Sequence, residues 1–410
     1  MKILILAQYF PPDLGGAATR AYNIAKGLTL NGCEVTVIAA FPHYPHGKIS
    51  KEYRWKPLKT EWIGKVKVIR TFMPPIKTEG FFKRLLLIGC FTVSSLFALP
   101  SVGKFDAVWA SSWIPGYFYS KLNRKALALN VDDLTLEDLV DLRKLKKGSI
   151  VLGIGEKIYR LFFVKGAILT PISFGYFDII EKKYCVEHNR IHLVRGGVDL
   201  SVFRHSTIKD KSGKFVVLYS GAFSIAYDFD QIFRAAKILE KVDPDIEFVI
   251  QGSGELLESM YNSIYKLKIK NVRIINKIIT RQKVAELLAQ ADVLILPLVP
   301  FYKSGTPYRG MSSKLYEYQA VGKPIISCSK GIPSEYVMET NSGIAINPDD
   351  HEALAKAVLE LKQNPKIAEL MGENGRKYVE NEVSIEAIGL KIKEILQISR
   401  TRKQKLANYS

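Results

Sequence analysis

"KILILAQYFPPDLGGAATRAYNIAKGLTLNGCEVTVIAA", residues 2–40, reads as a strand, a glycine turn, a helix and a second strand. The apolar runs "KILILA" and "EVTVIAA" flank "AYNIAKGLTLNG", whose pattern is helical. Such alternation is the signature of a parallel sheet covered by helices. Gly15 and Gly16 lack a Cβ, so the backbone there can turn sharply and lie against another molecule, and a strand, glycine turn and helix start suggest an anion site. A plain βα turn with Pro11 and Pro12 guarding the strand end explains the same residues, and both readings stand.

The alternation continues through "VKVIRTF", "DAVWAS" and "ALALNV". A second series runs from "FVVLYSG" at 215 through "IEFVIQGSGE", "NVRIIN" and "DVLILPL" to "PIISCS" at 324–329. Between them the polar interval "RHSTIKDKSGK", 204–214, is the expected boundary. The chain is expected to be α/β, with two doubly wound domains at 1–200 and 213–380 and a closing helix with a basic, loosely ordered tail at 381–410. In such sheets ligands bind beyond the carboxyl ends of the strands, so a central cleft that the two domains face is the expected site.

Among 410 residues, 59 Lys and Arg stand against 40 Asp and Glu, a net charge of +19 that favours an anionic partner: phosphates, nucleic acid or an acidic membrane face. Cys33, Cys90, Cys185 and Cys328 lie far apart with no metal spacing, which reads as a reduced, cytoplasmic, metal-free protein without a signal peptide. Residues 81–100 include 15 uncharged positions from Leu85 to Leu99, short of the roughly 20 that span a bilayer. A buried core helix and a helix at the membrane interface both fit. The basic neighbours "KPLKTEWIGKVKVIR" and "RKLKKGSIVLGIGEKIYRLFFVKG" favour the second, although a solvated positive face reads the same way.

The stretch "SGTPYRGMSSKLYEYQAVGKPIISCS", 304–329, is a glycine-containing loop feeding a helix. Ser313 is the expected N-cap, Lys314 adds a point charge beside free N–H groups, and Glu317 on the same helix face can accept two hydrogen bonds from a diol such as a ribose. A capped surface helix with a Lys–Glu pair is the plainer alternative.

This element resembles the donor-binding segment of family 4 of the retaining glycosyltransferases, whose GT-B architecture pairs two Rossmann-like domains. The early "GG", the 167–203 segment ending in "RGGVDLSVF", "LYSGAFS", "IQGSGE", "NVRIINKIITRQKVAELLAQADVLILPL" and "KLYEYQAVGKPII" follow in the family's order over nearly the whole chain. "FPPDLGG", "DDLTLED" and "SSKLYEY" are together similar to the fucosamine-transferase-like branch, which builds bacterial surface polysaccharides on lipid carriers. The resemblance implies that Gly15 and Gly16 approach the donor diphosphate and that Glu317 binds the ribose hydroxyls. It implies further that Gly221, Gly252 and Gly254 line the nucleotide pocket and that the backbone at Lys277 and Ile278 meets the base. Asp13 and Asp133 are acceptor-contact candidates, each also readable as a turn or N-cap aspartate. His43 and His46 are candidates for the acceptor side, where a lone loop histidine is more often just exposed.

Two departures stand out: Arg309 occupies the first position of the family's E-x(7)-E pair, and Ala222 replaces its usual arginine. Lys314, with the Ser313 helix start and Arg309 or Arg195, is expected to neutralise the leaving diphosphate instead. The expected protein is a retaining glycosyltransferase without metal or other cofactor. It would use a nucleotide-sugar donor, with uridine as the expected base, and a lipid-linked saccharide acceptor, at the anionic inner face of the plasma membrane. A nucleotide-sugar 2-epimerase and an inactive glycosyltransferase-like scaffold are the rivals. An NAD enzyme lacks its G-x-G-x-x-G, and nucleic-acid binding leaves the paired domains unexplained.

Overall fold

The computed structural model describes the chain except for residues 14, 45, 55, 78–80, 142–144, 165–167, 206–212, 300–306 and 409–410, and the side chains of 81–82 and 402–408. Most of the polar interval expected as a boundary, and Ser304 to Thr306 of the donor loop, therefore lie outside the described residues. The described chain forms two compact units, Met1–Gly197 with Ile385–Ser410, and Val198–Ser384.

In the first unit β1 (Lys2–Leu6), β2 (Glu34–Ala40), β3 (Leu58–Ile63), β4 (Val66–Thr71), β5 (Ala107–Ala110), β6 (Ala126–Val131) and β7 (Ile168–Pro171) form one sheet, ordered β3-β4-β2-β1-β5-β6-β7. β1 pairs parallel with β2 (Ile3 opposite Val35) and with β5 (Ile3 opposite Ala107). The strand order therefore reverses between β1 and β5, where such sheets bind ligands. One edge departs from the parallel expectation. β3 runs antiparallel to β4 with Ile63 opposite Val66, because Gly64 and Lys65 alone join them and Gly64, at φ 58°, allows a tight reversal.

Side chains alternate across the sheet, and both faces are covered, which is why β1 reads as continuous apolar sequence. Ile3 and Ile5 pack with Ile24 and Leu28 of the Gly16–Leu30 helix and with Ile388, Ile392 and Ile395 of the last helix. Leu4 and Leu6 pack in a second core with Leu87 and Phe91 of the Phe81–Leu96 helix, Tyr119 of the Trp113–Leu122 helix and Phe162 and Phe163 of the Ile150–Val164 helix. The tail expected to be loose instead continues the last helix, Ile385–Asn408: "TRKQKLAN" holds no glycine or proline, and Ile388, Ile392 and Ile395 anchor the helix. Each such burial contributes about 1.5–3 kcal/mol. Close approach to the first helix requires glycine on both sides, since a Cβ at Gly389 would lie 2.2 Å from the Gly27 carbonyl carbon.

The 81–96 segment is a buried core helix on one face only. Leu87 and Phe91 are core, whereas Leu85 is 57% and Val93 58% exposed. No helix among the described residues is long and apolar enough to cross a membrane.

In the second unit β8 (Phe215–Ala222), β9 (Ile246–Ser253), β10 (Val272–Asn276), β11 (Val293–Pro297), β12 (Ile325–Cys328) and β13 (Gly343–Ile346) form a parallel sheet, ordered β10-β9-β8-β11-β12-β13. Here the order reverses between β8 and β11. The Phe229–Val242 helix buries Ile232, Phe233, Ala236 and Leu239, and its N-cap Asp228 accepts from the Gln231 N–H at 3.1 Å.

Candidate functional site

β8 ends at Gly221 and Ala222, and the chain then crosses to the Phe229–Val242 helix through Phe223 and Tyr227. A Cβ on Gly221 would lie 2.2 Å from Lys314 Cε and 2.9 Å from its Nζ. The lysine therefore fills the space that the glycine leaves at the carboxyl end of the central strand. Its ammonium donates to Tyr227 Oη (2.9 Å) and sits 5.0 and 6.0 Å from the ring centres of Tyr227 and Tyr219. Tyr219, its ring 5.2 Å from that of Tyr227, donates to the Ala222 carbonyl (2.8 Å), and burial holds its phenol well above the usual range, so it stays neutral. A cation fixed in this way is positioned to meet an anion.

Lys314 is the second residue of the Ser313–Ala320 helix. The N-cap is Ser312, one residue earlier than expected: it holds the extended φ −84°, ψ 122°, and Ser313 is already helical. The Ser312 side chain accepts no N–H of the first turn, which leaves that end open to an anion. Glu317 does not pair with Lys314. Its Oε1 accepts from Arg281 Nη2 (2.9 Å), and the Arg281 guanidinium lies 5.0 Å from the Phe203 ring. Arg309 adjoins Tyr308, which pairs with Gly331.

Gly252 and Gly254 have a packing reason to be glycine. A Cβ would meet Gly221 O at 1.7 Å and Phe223 O at 2.3 Å respectively, so the β8 and β9 ends touch backbone to backbone. Gln251 accepts from Ser220 Oγ (2.6 Å) and donates to the Lys277 carbonyl (2.5 Å), while the Lys277 N–H goes to Ile275 O. Ile278 is 73% exposed beyond β10. The second unit thus brings Gly221, Ser313, Lys314, Gly252 and Lys277 to the carboxyl edge of one sheet.

Arg195 belongs to the first unit, buried with its guanidinium 5.8 Å from the Phe174 ring. In the glycine loop Gly15 (φ 105°) is the N-cap and Gly16 begins the helix. Asp13 is buried. Its Oδ1 accepts from the His43 and Tyr44 N–H groups, both at 2.8 Å, the turn role weighed for it. Among the described residues its Oδ2 has no hydrogen-bond partner, and burial raises its pKa. His43 is buried rather than exposed, stacked on Tyr9 at 5.5 Å because the β2 end tucks it beneath that ring, whereas His46 is exposed. His43 Nδ1 faces the Phe41 carbonyl at 2.9 Å, which can only accept, so Nδ1 carries a hydrogen, and Nε2 has no partner among the described residues.

Asp133, after β6, keeps solvent contact but is ringed by protein. Desolvation, then Asp132 and Asp138, push its carboxyl up to about 6. Tyr176 Oη donates to the Asp132 carbonyl (3.2 Å) and lies 3.5 Å from Asp133 Oδ1.

Tyr227, Arg281 and Phe203 were missed in the sequence. The available signal was Tyr219, Phe223 and Tyr227, aromatic at every fourth position across a strand end.

Residues 204–378 match the family model for "Glycosyl transferases group 1". The putative colanic acid biosynthesis glycosyl transferase WcaI of Escherichia coli K12 is 23% identical over 394 residues, 89% of this chain and 93% of that one. Sucrose-phosphate synthase from Thermosynechococcus elongatus superposes with a TM-score of 0.74 at 15% identity, over 100% of both chains. Anabaena HepE, solved with UDP and glucose, gives 0.65 at 16%, over 97% of this chain and 99% of that one. The chain is thus a transferase enzyme with the two-domain α/β GT-B fold, and its residues 204–378 are similar to the Glycosyl transferases group 1 family.

Proposed function

We propose that the protein is a retaining glycosyltransferase that moves a sugar from a nucleoside-diphosphate donor, with uridine as the base, to a lipid-linked saccharide. It would act in bacterial surface polysaccharide synthesis at the anionic inner membrane face, in the fucosamine-transferase-like branch. The observation that carries this reading is the Lys314 ammonium held in the space above Gly221, beside an open helix N-terminus. A departing diphosphate is the largest charge developed in the reaction, and fixed cations and main-chain amides suit it. Arg309 and Arg195 are the further cations of the reading, with Gly15 and Gly16 as amide donors.

Glu317 keeps Oε2 for a ribose diol while Arg281 occupies Oε1. The Ile278 main chain offers the base edge, since both main-chain groups of Lys277 already have partners. In the first unit Asp13 Oδ2 and His43 Nε2 are buried with no partner among the described residues, and sugar hydroxyls, which both donate and accept, would supply one. Asp133 is the second acceptor contact. In the transfer step the bond from C1 to the phosphate oxygen breaks as the acceptor oxygen bonds C1 on the same face. The acceptor proton passes to the leaving phosphate, so no protein base is required.

The names of relatives support the polysaccharide reading, and the net charge of +19 supports an anionic membrane. The test incubates the pure protein with radiolabelled nucleotide sugars and a bacterial lipid-linked saccharide extract. Label moving to the organic phase is expected, and its loss in Lys314→Ala. Epimerised donor without transfer would establish the epimerase. Nucleotide binding with neither product would establish the scaffold.

A further inference from the structure

The Phe81–Leu96 helix carries a groove of about 1050 Å³ that neither the donor nor the acceptor chemistry uses. It is lined by Phe72, Leu85, Leu86, Gly89, Val93 and Phe97, with Lys56 among the lining. Phe97 is 70% exposed, so this apolar surface is open to solvent. We infer that the groove binds the hydrocarbon chain of an anionic lipid, with the lipid's phosphate at Lys56. The inference deepens the lipid-acceptor reading and rests on it for the identity of the natural ligand.

Two observations select this occupant. The first is chemistry. The lining is almost wholly apolar, which suits methylene groups and leaves an extended peptide's amides unsatisfied. The second is charge. A chain carrying +19 repels a second copy of itself, whereas Lys56 in the lining attracts a phosphate. The surroundings agree. The Ile150–Val164 helix covers the same side of the sheet, and exposes Ile150, Val151, Ile154 and Ile158 alongside Lys157 and Arg160. An apolar strip with basic flanks is what lies in a membrane interface, the source from which a lipid chain would enter.

Cys90 lines the groove and serves as its reporter: Cys33 and Cys328 are buried, so Cys185→Ser leaves Cys90 as the accessible thiol. Maleimide modification of Cys90 is timed with decyl phosphate below its micelle concentration, with inorganic phosphate, and with protein concentration alone varied. Decyl phosphate is expected to slow modification at least tenfold, and the other two to leave it unchanged. Gly89→Phe adds a ring to the lining at a position where a Cβ meets nothing within 4 Å, and is expected to abolish the protection by decyl phosphate. Undiminished modification with decyl phosphate, or equal protection in Gly89→Phe, overturns the inference. Protection by protein concentration alone overturns it in favour of a self-interface. No bilayer or saccharide is present, so a protein that protects Cys90 yet fails to glycosylate lipid-linked saccharides keeps the groove and loses the acceptor reading.

Discussion

Gly221→Ala tests whether the glycine at the β8 end exists to admit Lys314. The new Cβ would lie 2.2 Å from Lys314 Cε and 2.8 Å from Tyr219 Oη. The lysine is the end of a flexible chain and swings away, but Tyr219 is fully buried and must shift by some tenths of an ångström. Overpacking of this kind costs about 1–3 kcal/mol, which lowers the melting temperature by about 3–10 °C in a unit of this size. The fold survives while the ammonium leaves Tyr227. Loss of one preorganised charge contact lowers kcat by about 10² to 10³, or about 3–4 kcal/mol. Lys314→Ala should lose a similar amount. The double variant should then fall no more than about threefold below Lys314→Ala, because the second change removes what is already gone. Steady-state kinetics on the four proteins, with melting curves to confirm folding, gives the coupling. Losses that multiply in the double variant would show that Gly221 acts through its own backbone, and the reasoning would be abandoned.

Gly389→Ala forces a Cβ to within 2.2 Å of the Gly27 carbonyl carbon and should cost about 3 kcal/mol, seen as a melting point lower by about 6–12 °C; an unchanged melt would mean that the two helices are not so closely packed. Asp133 has its pKa raised to about 6, so the folded state favours the protonated acid and the stability it contributes fades as pH rises from about 4 through 6. Asp133→Asn should therefore gain on wild type across that window and hold a constant lead above it, by about 1 kcal/mol once solvent contact is allowed for; a lead that grows toward low pH contradicts the sign. Glu317→Gln should raise the donor KM about tenfold, and Arg281→Ala should change stability by under about 1 kcal/mol because that pair is partly exposed. A loss in kcat at unchanged KM in Glu317→Gln would remove the ribose role.

The two sheets were legible because strands covered on both faces leave runs such as "KILILA" and "DVLILPL", and no other common element makes runs so short between helical patterns. The antiparallel β3 was not: "LKTEWI" alternates polar and apolar with basic residues around it and reads as a charged surface, until the two-residue turn at Gly64 is seen to force the reversal. Lys314 and Gly221 each stood out locally, but their contact depends on β8 and the Ser313–Ala320 helix meeting in space. The lysine's partner Tyr227 lies 87 residues away, and an aromatic after a strand reads as core. His43 looked like an exposed loop histidine because its burial comes from Tyr9 on a different strand end.

The central claim is that Lys314 neutralises the second phosphate of the donor. Its most direct test is calorimetric titration of wild type and Lys314→Ala with the nucleoside diphosphate that most raises the melting point, and with the matching monophosphate. The account predicts that the diphosphate binds wild type at least tenfold more tightly than the monophosphate, and that Lys314→Ala loses this advantage while keeping its monophosphate affinity. An equal diphosphate advantage in both proteins would contradict it.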